Sequence, residues 1–186
     1  MAIKSLIQVG VVFLLVVGCG CRAAAAADSA SAPLAAQLTA AMVSHKLDAI
    51  AARDPEAADR YIAALVFPGS QLLVVAAPYP AAGALDALIE QQQYRDVYST
   101  LQQSSVTKGK VFFQDIGADG LSADSNSNVD LMYEEVTKRM VFDGEWKKQK
   151  ISQAEYQKRF AAADKRYAHL LTALLAAANA APASPK

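Results

Sequence analysis

Ile151-Ser-Gln-Ala-Glu-Tyr-Gln-Lys-Arg-Phe160-Ala-Ala-Ala-Asp-Lys-Arg-Tyr167-Ala-His-Leu170-Leu-Thr-Ala-Leu174 decides the fold of this chain. Ser152 and Glu155 form a capping box, in which each side chain can satisfy an orphan amide at a helix start. Ile151 and Tyr156 occupy the hydrophobic-staple positions around it. Tyr156, Phe160, Ala163, Tyr167, Leu170 and Leu174 then recur at intervals of three and four, which is one continuous apolar face at helical period. The spacing predicts a helix over 153–178 with that stripe buried, followed by a frayed tail over 179–186.

Working back from this helix, the middle of the chain changes period. Gln71–Ala77 is a short apolar run bounded by turn residues, the pattern of a buried strand. Lys110–Ile116 reads as a second strand entered from a Lys108-Gly109 turn. The Tyr, Val and Thr content of 94–101 also favours strand, and 85–93 reads as a short helix. Asp143-Gly144, between Val136–Phe142 and Glu145–Gln149, carries a hairpin signal. At the N-terminal end, Pro33 suits a helix start. Ala36, Ala40, Val43, Leu47 and Ile50 suggest one helix face. Asp54-Pro55-Glu56 has the residues of a second helix start, with Ile62, Leu65 and Val66 on that helix and Pro68-Gly69 ending it. Strands in the middle and helices at both ends imply an α+β fold: a small antiparallel sheet flanked by N-terminal helices and a long C-terminal helix.

The first residues carry an address. Lys4 is followed by a largely apolar run from Leu6 to Val17, too short to cross a hydrocarbon core and shaped like a secretory signal. Val16-Val17-Gly18-Cys19 resembles the lipobox of bacterial lipoproteins, with Val16 where that family usually has Leu. The resemblance implies removal of 1–18, lipid on Cys19 and a membrane anchor in the periplasm or cell envelope. Gly20 in place of Asp after the cysteine would permit transport to an outer membrane. Ordinary cleavage within Ala23–Ala27 is the competing reading. On the lipobox reading, 19–32 is an Ala/Ser-rich tether and 33–178 a single domain.

Composition narrows the function. The chain has 18 basic and 18 acidic residues, so nothing in its charge argues for nucleic acid. Its 2 cysteines are Cys19 and Cys21, outside the domain, which removes disulfides, thiolate nucleophiles and cysteine-bound zinc from it. His45 and His169 stand alone, without a second ligand one helical turn away. Ser70 lacks the following glycine of a nucleophile elbow.

Residues 111–135 hold Asp115, Asp119, Asp124, Asp130, Glu134 and Glu135 and no Lys or Arg. Within them, Asp124-Ser-Asn-Ser-Asn-Val-Asp-Leu-Met-Tyr-Glu-Glu135 resembles an EF-hand loop. That resemblance would make Asp124, Asn126, Asn128, Asp130 and Glu135 the ligands of a calcium ion. Val129 stands where the family has Gly, and a strand rather than a helix precedes the segment. Both departures favour a polar turn-rich loop with weak calcium affinity, and no cofactor is expected.

Residues 136–170 reverse the sign, with nine Lys or Arg against four acids, which suits neutralisation of the acidic stretch or a partner surface. Tyr94, Tyr98 and Trp146 are candidates for a ligand surface on strands, or for cross-strand packing. The sequence thus points to an exported, lipid-anchored envelope protein whose domain binds a protein or small molecule without catalysis. The alternative is a cofactor-binding or enzymatic domain, since a small sheet between helices is also compatible with flavin-binding split barrels.

Overall fold

A computed structural model describes residues 29–57, 59–67, 71–78, 111–123, 129–134 and 138–181. Helix α1 (Ala32–His45) is followed by β1 (Ala49–Arg53), β2 (Arg60–Phe67), β3 (Gln71–Pro78), β4 (Val111–Ile116), β5 (Asp130–Glu134), β6 (Lys138–Phe142) and α2 (Gln153–Ala180). The six strands form one open antiparallel sheet in sequence order, so every strand pairs with its neighbours in the chain. α1 packs on α2, and α2 packs on β1 and β2. The fold is α+β, with a long C-terminal helix.

α2 begins at Ser152, whose hydroxyl accepts the Glu155 amide at 3.1 Å, one half of the capping box, while the Glu155 carboxylate accepts from Arg159. Tyr156, Phe160, Ala163, Tyr167, Leu170 and Leu174 are all buried. Their counterparts come from alternate strand positions: Ile50, Ile62, Ala64, Leu72, Val74, Ala76, Val111, Phe113, Met132, Met140 and Phe142 share one core with the helices. Ring contacts fix the crossing of α2 over the sheet. Phe160 meets Phe142 of β6 edge-on at 5.5 Å, and Tyr167 meets Phe113 of β4 at 5.0 Å. On the opposite face, Ala49, Ala51, Tyr61, Ala63, Leu65, Val75 and Ala77 are buried as a second cluster, so β1–β3 are apolar on both sides.

That double burial corrects the second N-terminal helix. A strand buried on both faces has no alternation to display, and Tyr61-Ile-Ala-Ala-Leu-Val-Phe67 can be mistaken for a helix segment. The residues read as its start form a turn instead. Asp54 accepts the Glu56 amide at 2.9 Å, and the Asp54 amide donates to the Arg60 carbonyl at 3.0 Å, joining β1 to β2. Carboxylate-capped turns and carboxylate-capped helices open with the same residues.

The first helix is also shorter and differently phased than its spacing suggested. It stops at Lys46, which adopts a left-handed conformation with φ of 57°. The Leu47 amide then closes onto the Met42 carbonyl at 2.8 Å. The buried face is Ala35, Leu38 and Met42, whereas Val43 is 67% exposed. Ile50, used to set the phase, belongs to β1. After β6, Asp143-Gly144 opens a run of turns into α2 rather than a hairpin, so Trp146 lies on a turn and half-buried. β5 occupies part of the segment read as a polar loop. Ser29, Ala30 and Ser31, read as the end of the Ala/Ser-rich tether, are bonded to Asp164 of α2. The short helix and strand expected within 85–101, and the turn at Lys108-Gly109, lie outside the described residues.

Leu170 is 1% exposed under this helix. Leu170→Asp should destabilise the fold by about 3 kcal/mol or more, since it buries an unpaired charge. Chemical denaturation checks this, and an unchanged midpoint would show that the stripe is not core.

Candidate functional site

Three aspartates sit at or near the junction of the N-terminus, the β4–β5 connection and α2, and each is buried. A buried carboxylate is costly unless donors surround it. Asp164 of α2 accepts the Ser29 hydroxyl at 2.6 Å, the Ser31 hydroxyl at 2.6 Å, and the amides of Ala30 and Ser31 at 2.7 and 3.2 Å. Ser31 also accepts the Leu121 amide at 2.9 Å, linking the entering chain to the β4–β5 connection. Asp115 of β4 accepts amides from Asp119 and Gly120 and the Tyr167 hydroxyl, at 3.2, 3.0 and 3.1 Å. Asp130 of β5 accepts the amides of Ile116 and Ser122, each at 2.8 Å. Gly120 is required here: its φ is +91°, and an added Cβ would lie 2.4 Å from the Ala32 backbone.

Burial pushes the Asp115 carboxyl above the ordinary aspartate range, although the Gly120 and Asp119 amides and the Tyr167 hydroxyl pull the other way. Burial also raises Asp130 to about 7, against two backbone donors and reinforced by the charges of Asp115 and Asp119. The Tyr167 hydroxyl is raised by burial and by its contact with Asp115. The donors of this seam are backbone amides and hydroxyls that tie the fold together. It is an internal brace.

The accessible site lies beside it. Glu155, Arg159, Ala162 and Arg166 step by four, three and four residues along the flank of α2, so they overhang one strip. Beneath them Met132, Glu134 and Met140 rise from β5 and β6, and the space between is a cleft of about 320 Å³. Arg166 donates through Nη1 to Glu134 at 2.7 Å, and Arg159 donates through Nε to Glu155 at 2.7 Å. The hydrogen bond from Arg159 holds the Glu155 carboxyl below its ordinary range. An apolar floor of two methionines therefore carries a rim of two guanidiniums and two carboxylates.

The residues singled out by sequence are placed as follows. Asp130 starts β5 with both carboxylate oxygens on amides; Asp124, Asn126, Asn128 and Glu135 lie outside the described residues, as do Cys19, Ser70, Tyr94 and Tyr98. Among the described residues no three His, Cys, Asp or Glu side chains form a group suited to a metal. His45 ends α1, and His169 faces Glu56 at 3.8 Å. Trp146 packs on the core and stacks with the Lys147 ammonium at 5.2 Å. The basic stretch does meet the acidic one, through Arg166 and Glu134.

Asp164 was missed. Its sequence signal was an acid beside the stripe, four residues after Phe160 and three before Tyr167. The cleft was missed because Glu155 reads as a helix cap, and Arg159 and Arg166 as part of a basic stretch, until the strands opposite them are known. No family model, curated protein or solved structure matches the chain.

With its pKa raised, Asp130 binds its proton more tightly in the folded state than in the unfolded one. The folded state therefore holds more protons between about pH 4 and 7, and stability falls across that window as pH rises. The thermal midpoint should decline from pH 5 to pH 8. Asp130→Asn, which turns an amide group toward one of the two backbone donors, should be less stable at pH 5 but show a flatter profile. A wild-type midpoint that climbs through this window contradicts the assignment.

Proposed function

We propose that this protein is exported, held at a membrane by lipid on Cys19, and works in the cell envelope as a non-catalytic binding module. The observation that carries the binding part is the contrast between its two polar regions. The buried carboxylates of the seam, Asp115, Asp130 and Asp164, are committed to amides and hydroxyls. The open cleft presents an apolar floor and paired charges, with no nucleophile–base pair among the described residues that line it. Glu155, kept ionised by Arg159, is a poor proton acceptor, which also supports binding over acid–base chemistry.

The anchor rests on Val16-Val17-Gly18-Cys19. Ser29 is already tied to Asp164, so ten residue steps separate the lipidated cysteine from the folded domain. Ten residues span at most roughly 35 Å. The domain would work close to the bilayer surface, on ligands or partners found there. Among the described residues no helix is long and apolar enough to cross a membrane.

Cell fractionation tests the anchor. Cys19→Ala should shift the protein from the membrane pellet to the soluble fraction or stall its processing. Wild-type protein found wholly soluble, with its N-terminus at Ala26 or Asp28, would overturn it.

A further inference from the structure

The rim of the cleft has a definite charge pattern. Arg159 and Arg166 supply two positive groups, Glu155 and Glu134 two negative ones, and the four are intermixed above Met132 and Met140. A simple anion placed there would compete with two carboxylates for the guanidiniums. A simple cation would compete with two guanidiniums for the carboxylates. A molecule bearing both charges complements the rim and brings no net charge into it.

We propose that this cleft binds a zwitterionic amino compound with an apolar body, of which an aliphatic or aromatic α-amino acid is the simplest form. The inference deepens the binding reading above and rests on it. Arg159 spends Nε on Glu155 and Arg166 spends Nη1 on Glu134, while a guanidinium carries five donors. The remaining donors suit a carboxylate, which guanidinium groups hold in a two-pronged geometry. Glu155 remains ionised and stands one helical turn from Arg159, positioned to take an ammonium. The apolar body then lies on Met132 and Met140, whose flexible thioethers accept side chains of varied shape. Ala162 and Ala163 give the headroom, since larger residues on that stretch of α2 would fill the space above the strands. A volume of about 320 Å³ lies at the small end of ligand sites, in keeping with an amino acid rather than a large cofactor.

Calorimetric titration of the processed, lipid-bearing protein in nanodiscs, with empty nanodiscs as blank, tests this with four probes. L-Leucine carries both charges, 4-methylpentanoate lacks the ammonium, and 3-methylbutylamine lacks the carboxylate. Leucyl-leucine separates the charges along a peptide and so distinguishes a free amino acid from a peptide source. Leucine or leucyl-leucine should bind at least about tenfold more tightly than either single-charge analogue, the scale of one charge-assisted hydrogen bond. Arg159→Gln, at an exposed position that leaves the core intact, should weaken that binding by about tenfold, and Arg166→Gln should do so at least as strongly. Lys165→Gln, on the outer face of α2, should leave it unchanged. No heat from either zwitterion, equal binding of the single-charge analogues, or undiminished binding by Arg159→Gln would overturn the proposal. Absence of binding in protein that remains membrane-bound would remove this ligand and leave the anchor standing.

Discussion

The buried face of α2 is the contact on which the other elements depend for their places. Twenty-eight residues of helix extend for about 42 Å, enough to cross a six-stranded sheet obliquely. Tyr156 and Phe160 reach the turn after β6 and β6 itself, Tyr167 reaches β4, and the C-terminal half reaches β1 and β2. Each fully buried large side chain contributes about 1.5–3 kcal/mol by leaving water. α1 has a narrow apolar face of Ala35, Leu38 and Met42, and it is placed by packing on α2.

Onto this apolar contact the fold adds polar connections that carry direction. Asp164 emerges from the buried face of α2 and collects the chain as it enters at Ser29–Ser31. Tyr156 accepts the Gly144 amide and donates to the Ala123 carbonyl, joining the two connections that flank β5 and β6. Asp115 and Asp130 hold the β4–β5 connection from either side. Such groups stabilise only as complete sets, because removing one acceptor leaves several buried donors unmatched. The entering chain is therefore fixed to the same helix that forms one wall of the cleft.

How much of this was legible in the sequence depended on how each element is buried. α2 was readable because it is buried on one side only and shows its period, with a capping box at its start. β3 and β4 were readable as short apolar runs between turn residues. β2 was not, since burial on both faces erases the alternation that marks a strand. β5 was hidden for another reason: its first residue, Asp130, is an acid in a buried position, and the segment before it is rich in turn formers. The seam and the cleft both need the tertiary fold. Glu155, Arg159 and Arg166 follow helical spacing on any surface helix, and only Met132 and Met140 beneath them make that spacing a binding rim.

The central claim is that α2 and the sheet form one cooperative unit, so that the cleft between them persists as long as the fold does. Native-state amide hydrogen exchange on the processed protein tests it most directly. The account predicts that amides from Phe160 to Leu174 exchange with the same free energy as those of β2 and β3, by opening of the whole domain. Exchange of that helix at a free energy several kcal/mol below the strands would show that α2 detaches on its own, and would contradict the account.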